Sequence, residues 1–154
     1  MEMETMKLAR HVGSTYALVF AGIGCACALV MLLLSGGMGV FSKGMNSLGI
    51  AVGVLGLFSG AYFLGQWAGV LIVARSKPAA ILIGILAAFA VLEISVLSGS
   101  LVNFLIQENN SGLQPHFMAY VLKPVYWVTL CGLIPTVILG LLFGMKVWTA
   151  ITKR

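Results

Sequence analysis

The chain has 154 residues, of which 60% are hydrophobic and only 8% are charged. A soluble domain of this length needs a much larger charged surface, so the composition excludes the soluble globular class. The formal net charge is +5, but the basic residues are dispersed near the predicted helix ends rather than clustered, and we predict no nucleic-acid partner.

Long runs of nearly uncharged residues predict four transmembrane helices, because about 20 helical residues cross the hydrocarbon core of a bilayer. These runs fill most of the chain and leave no segment for a soluble domain. We therefore predict a single transmembrane domain over residues 1–154, an all-α integral membrane bundle in contact with the lipid bilayer. The predicted helices cover about 15–37, 47–74, 79–106 and 121–149.

The segment before the first predicted helix reads MEMETMKLARHVG and is acidic, then basic. It is too polar for the apolar core of a cleaved signal peptide, and we expect a short interfacial helix there. The three cysteines, Cys25, Cys27 and Cys131, lie inside predicted helices. Their spacing fits neither a metal site nor a disulfide, so we interpret them as small apolar residues and predict no metal and no cofactor.

The basic residues predict the orientation of the helices in the membrane. Seven of them fall on the side of the two termini and of the second loop, whereas two fall on the other side. Because cytoplasmic loops carry the excess of Lys and Arg, we predict that both termini and the second loop lie in the cytoplasm. The seven are Lys7, Arg10, Arg75, Lys77, Lys146, Lys153 and Arg154, and the two are Lys43 and Lys123.

The second predicted helix has glycines on two faces. At about 100° per residue, four of them fall in a narrow band and two fall on nearly the opposite face. Two opposed glycine faces predict close helix packing on both sides. The spacing alone leaves two interpretations open: the inner wall of a closed ring of like subunits, or a central helix of one chain that contacts two helices of its own. The band is Gly49, Gly53, Gly56 and Gly60, and the opposite pair is Gly65 and Gly69.

The third predicted helix has a single ionisable side chain, Glu93, between Ala79 and Ile106. A charge at the bilayer centre costs at least about 2.5 kcal/mol, and no Lys, Arg or His lies at a matching depth in the other predicted helices. We therefore interpret Glu93 as a group that binds and releases a proton or Na⁺. The alternative is a purely structural acid, protonated and hydrogen-bonded to a backbone carbonyl.

Polar residues follow Glu93 toward the outer end of the same helix. Ser100 and Gln107 come seven and fourteen positions later on one face, with Asn103 beside that face. Toward the cytoplasm the helix contains only Ala, Ile, Leu, Phe and Gly near this face. The pattern predicts polar access to Glu93 from the outer surface only.

A glycine-rich helix, a short basic turn and a helix with a midmembrane carboxylate follow one another in this chain. The segments are Gly49-x3-Gly53-x2-Gly56-x3-Gly60, then ARSKP, then AVLEISVLSGSLVNFLI. Together they resemble the proteolipid (c-type) subunits of rotary ATPases, most closely those of the vacuolar type, over about residues 47–107. The extra helix before this hairpin is similar to the c-double-prime variant, whereas the last predicted helix has glycines but no acid.

The resemblance implies a ring subunit of a proton-translocating ATPase, with no catalytic site of its own. Glu93 would take up a proton from one half-channel, cross the lipid-facing arc in its neutral form and release the proton opposite an arginine of a stator subunit. The implied partners are other ring copies and that stator subunit, in a vacuolar or other endomembrane. The turn Arg75, Ser76 and Lys77 would face the rotor stalk.

Two other classes of function stay open. In the first, the chain is a small secondary transporter in which a homodimer uses Glu93 for proton-coupled exchange. In the second, it is a tetraspan scaffold or assembly subunit of a larger membrane complex, and Glu93 pairs with another protein. The sequence contains no nucleotide, metal or nucleophile motif that argues for an enzyme.

Overall fold

The computed structural model describes residues 2–34, 47–73, 75–111 and 117–152. In this part of the chain it confirms the predicted all-α class, with four helices that are each long and apolar enough to span a membrane. A five-residue π-helical segment, Met118–Leu122, leads directly into the last helix. The four helices are α1, Glu2–Leu34; α2, Ser47–Val73; α3, Lys77–Ser111; and α4, Lys123–Thr152.

α1 begins at Glu2, well before the predicted start near residue 15, and the expected interfacial segment is the first part of this one continuous helix. The segment contains Glu, Met, Lys, Leu, Ala and Arg, which all favour the helical state. It also packs against another helix, since Ala9 and Gly13 contact the α2 backbone at Gly65 and Gly69. The predicted end of this helix at residue 37 lies outside the described residues.

Consecutive helices run antiparallel and pack against each other, and α1 also contacts α4, which closes the bundle. Glycines lie at each of the three consecutive contacts, so the helix backbones approach closely without side chains between them. Gly13 of α1 meets Gly65 of α2, Gly53 of α2 meets Gly99 of α3, and Gly84 of α3 meets Gly140 of α4.

The antiparallel order places the start of α1, the α2–α3 turn and the end of α4 at one end of the bundle, which we call the basic end. Lys123 lies at the opposite end, at the start of α4. Three predicted topology residues, Lys43, Lys153 and Arg154, fall outside the described residues. The basic residues at the basic end are Lys7, Arg10, Arg75, Lys77 and Lys146.

A buried cluster of the described residues also lies toward the basic end. Its members come from α2, α3 and α4, namely Ala68, Ile72, Ala80, Phe143 and Val147. The ring of Phe20 from α1 meets Phe143 edge-on, with 6.4 Å between the ring centroids. Nearby, Nε1 of Trp148 donates a hydrogen bond of 3.3 Å to the carbonyl oxygen of Arg75, which connects α4 to the α2–α3 turn. All four helices therefore converge at this end.

Candidate functional site

Glu93 lies near the middle of α3, far from both ends of the apolar span Lys77–Ile106. At about 1.5 Å per residue, it is about 24 Å along the helix axis from Lys77 and about 20 Å from Ile106. The hydrocarbon core of a bilayer is about 30 Å thick. A helix that spans the bilayer over these residues therefore holds Glu93 close to the midplane.

The partner of Glu93 is a neutral side chain on the next helix. Oγ1 of Thr129, on α4, donates a hydrogen bond of 2.6 Å to Oε1 of Glu93, and both residues are half-buried. One turn further along α4, Gly132 receives the side chain of Leu92. No hydrogen bond or ion pair joins Glu93 to a basic group in the part of the chain that the structure describes. The carboxyl group is thus held between α3 and α4 by a hydroxyl group.

Glu93 lies at the outer rim of the α3–α4 contact. The residues seven positions before it and four positions after it, Leu86 and Leu97, lie within about 40° of Glu93 around the helix axis. These two leucines are 60% and 40% exposed in the isolated bundle. Glu93 therefore borders the side of α3 that faces away from the bundle, and in a membrane that side faces lipid or another protein.

The residues predicted to give polar access lie apart from this hydrogen bond. Ser100 is buried. Asn103 packs against Gly49 of α2, and its Oδ1 atom is buried without a hydrogen-bond partner. The side chain of Gln107 lies outside the described part of the structure. Asn103 turns toward α2, whereas Glu93 forms its hydrogen bond with α4. Polar access to Glu93 through these residues therefore stays a prediction.

The glycines of α2 pack against helices of the same chain on both faces. A Cβ atom on any of the first four would meet α3, and one on either of the last two would meet α1. Ser95 adds a polar link between α2 and α3, since its Oγ donates a 2.8 Å hydrogen bond to the Gly53 carbonyl oxygen. Of the two interpretations, this is the arrangement of a central helix within one chain. The first four are Gly49, Gly53, Gly56 and Gly60, and the last two are Gly65 and Gly69.

The turn between α2 and α3 is exposed at the basic end. Arg75, Ser76 and Lys77 are all accessible. The amide of Ala80 donates a 2.9 Å hydrogen bond to the carbonyl oxygen of Ser76, which forms the first turn of α3. These three side chains are therefore exposed at the start of α3.

Sequence reasoning missed the residues of α4 that form the site. Thr129 is the one aliphatic hydroxyl residue in the apolar stretch YWVTLCG, and this was its only signal. Gly140 and Gly144 form a small-xxx-small pair, a pattern typical of helix contacts, and they meet Gly84 and Ala80 of α3.

The three cysteines are free, with Cys25 half-buried and Cys27 and Cys131 exposed.

Comparison with models of protein families, with curated proteins and with solved structures gives no match to this chain. The residues and their geometry therefore carry the functional argument.

Proposed function

We propose that this multi-pass membrane protein carries protons on Glu93, as one copy in the ring of a proton-translocating rotary ATPase. The observation that carries the proposal is the 2.6 Å hydrogen bond from Thr129 to Glu93, at midmembrane depth and at the outer rim of the bundle. Ionisable residues within membrane helices mark ion pathways and proton relays by default, and among the described residues Glu93 has a hydroxyl partner and no basic one.

A hydroxyl partner suits a carboxyl group that changes its protonation state. The hydroxyl group of Thr129 can donate to a carboxylate oxygen, and it can also accept a hydrogen bond from the protonated acid. Glu93 therefore keeps a partner in both states without a rearrangement of α3 and α4. In its neutral form the side chain crosses lipid at a far lower cost than a charge does. A basic group on a second subunit would favour release of the proton to water, because it stabilises the carboxylate that remains.

The orientation and the location belong to the same proposal. The basic end carries five cations in the described residues, and the positive-inside rule assigns such an end to the cytoplasm. Arg75, Ser76 and Lys77 then face the rotor stalk. A vacuolar or other endomembrane follows only from the resemblance to vacuolar proteolipids.

A second candidate function is a self-contained proton-coupled transporter. The observation that favours it is the packing of both α2 glycine faces against helices of the same chain. Such packing lets the bundle form without a ring, and a dimer then uses Glu93 for exchange.

Chemical modification of the carboxyl group separates these functions. Native membranes are treated with a hydrophobic carbodiimide, which reacts with protonated, lipid-accessible carboxyl groups, and the adduct is mapped by mass spectrometry. The ring proposal predicts an adduct at Glu93 and loss of ATP-driven acidification, and it predicts the same loss in Glu93→Gln. Glu4, exposed near the basic end, is the control carboxyl group outside the hydrocarbon and should stay unmodified.

The other outcomes are equally informative. Purified protein that dissipates a proton gradient in liposomes, with the activity lost in Glu93→Gln, identifies the self-contained transporter. If Glu93 does not react with the carbodiimide and Glu93→Gln retains full acidification, both carrier functions are excluded. The chain would then be a scaffold or assembly subunit.

A further inference from the structure

A cation and an amide lie on the outer side of the contact between α1 and α2. Arg10 of α1 comes two residues before Val12, and Gln66 of α2 comes two residues before Ala68. Residues two apart lie about 160° from each other around a helix axis. Ala68 belongs to the buried cluster and Val12 packs against that cluster. Arg10 and Gln66 therefore point away from the cluster, toward the outside of the bundle.

A second cation lies beside Arg10 on the same side of α1. Lys7 comes almost one turn earlier, within about 60° of Arg10 around the helix axis. Both cations are exposed, and Gln66 is half-buried. Among the described residues, none of these three side chains forms an ion pair or a hydrogen bond, although Glu4 lies one turn before Lys7. We call Lys7, Arg10 and Gln66 the α1–α2 outer face.

The three side chains lie at increasing depth from the basic end. Ala9 contacts the backbone of Gly69 in α2. At about 1.5 Å per residue, Gly69 is about 6 Å inward from the end of α2. The same rise places Lys7 about 3 Å, Arg10 about 7 Å and Gln66 about 10 Å inward from that end.

These depths match the boundary between the headgroups and the acyl chains of a bilayer. Glu93 lies near the midplane, about 24 Å along α3 from Lys77. Half of the hydrocarbon core is about 15 Å thick, so the core begins about 9 Å inward from Lys77. A short turn joins the end of α2 to this start of α3. Lys7 and Arg10 therefore lie at the level of the lipid phosphates, and Gln66 lies where the glycerol esters begin.

We propose that the α1–α2 outer face binds one anionic phospholipid, with Lys7 and Arg10 on the phosphate and the Gln66 amide donating a hydrogen bond to an ester carbonyl oxygen. Arginine and lysine bind phosphate oxygens strongly, and basic sites between transmembrane helices bind anionic headgroups. The charges are complementary, since the basic end has five cations against the two acids Glu2 and Glu4. The proposed proton carrier plays no part in this site.

The occupant is a membrane lipid because the amide lies deeper than the cations. A soluble phosphate compound would reach Lys7 and Arg10 from the water, but it would leave Gln66 without a partner. An unpaired amide at the edge of the hydrocarbon is costly. A phospholipid offers a phosphate and, just below it, a carbonyl oxygen, in the same order as the three side chains.

Native mass spectrometry of the full chain, released from detergent micelles, tests the site. The probes are phosphatidylglycerol and phosphatidylcholine with identical acyl chains, and we expect one phosphatidylglycerol to bind the more tightly. Each cation should contribute about fivefold to the affinity, so Lys7→Gln combined with Arg10→Gln should weaken binding about 30-fold. The matched control is Lys77→Gln with Lys146→Gln. It removes the same charge from α3 and α4 and should change the affinity less than about twofold.

A second measurement isolates the amide. Gln66→Leu should weaken the binding of diester phosphatidylglycerol about threefold. The same variant should bind diether phosphatidylglycerol as well as the unmodified chain does, because the ether lipid has no carbonyl oxygen to accept the hydrogen bond. The diether lipid is thus the control for any general effect of Gln66→Leu on the fold.

Four outcomes would overturn the proposal. Equal affinity for the two headgroups would show that the face does not select an anion. Equal weakening by the test and control pairs would mean a general effect of net charge. Displacement of the lipid by an equal concentration of glycerol 3-phosphate would assign the cations to a soluble phosphate compound. Equal weakening of the diester and diether lipids by Gln66→Leu would remove the ester contact.

Discussion

The bond between Thr129 and Glu93 can be measured directly as a coupling free energy. The change is a double-mutant cycle of Thr129→Val, Glu93→Leu and the combined variant. Interhelical hydrogen bonds in membrane proteins average about 0.6 kcal/mol and reach about 1.7 kcal/mol. A hydroxyl–carboxyl bond of 2.6 Å is in the short class that exceeds the average. We therefore expect a coupling of about 1 to 1.7 kcal/mol, roughly a 5- to 18-fold effect on the unfolding equilibrium.

The assay is reversible unfolding of the purified protein by SDS in mixed micelles, with the free energy of unfolding extrapolated for all four proteins of the cycle. Thr149→Val, combined with Glu93→Leu, is the control cycle. The hydroxyl group of Thr149 donates to the carbonyl oxygen of Met145 in its own helix, and it lies about 30 Å along α4 from Thr129. This cycle should be additive within about 0.5 kcal/mol. A Thr129–Glu93 coupling no larger than the control value would show that Thr129 is not the hydrogen-bond partner of Glu93.

Three further changes test the packing. Gly13→Leu should prevent folding or lower the free energy of unfolding by at least about 3 kcal/mol, because a Cβ atom there meets the α2 backbone. The control Gly22→Leu should be nearly neutral, since nothing lies within 4 Å of its Cβ position. Asn103→Leu should leave stability unchanged or raise it, because the buried Oδ1 atom has no partner, and should slow transport if this residue provides access. Ser95→Ala should lower the free energy of unfolding by about 0.6 kcal/mol, because it removes the hydrogen bond to α2. Ser59→Ala should leave the free energy of unfolding unchanged, because the hydrogen bonds of Ser59 stay within α2.

The measurements are the midpoint of SDS unfolding for the packing variants and proton flux for Asn103→Leu. Equal stability of the two glycine variants would show that α1 does not pack closely on α2. A marked destabilisation by Asn103→Leu would mean that the amide has a hydrogen-bond partner. A Ser59→Ala variant as unstable as Ser95→Ala would remove the interhelical role of Ser95.

The site shows which residues the sequence pattern of a helix can predict and which it cannot. Glu93 is visible in the sequence because one acid interrupts a long apolar run, and its central position follows from counting residues along that run. Its partner is not visible in this way. Thr129 is one of several hydroxyl residues in apolar helices, and only the antiparallel register of α3 and α4 brings it to the carboxyl group. In the same way, Asn103 follows Glu93 along α3, yet it packs on α2.

Composition and length predict the all-α class, the number of membrane-length helices and the positive charge near their ends, since these features need no knowledge of which helices touch. The contacts between helices are visible only in the folded chain: the glycines of α2 lie against α1 and α3 of the same chain, and α1 extends back to Glu2. The lipid environment explains this difference. Lipid is as apolar as the helix surfaces, so hydrophobicity does not sort the faces, and close packing and hydrogen bonds choose the neighbours.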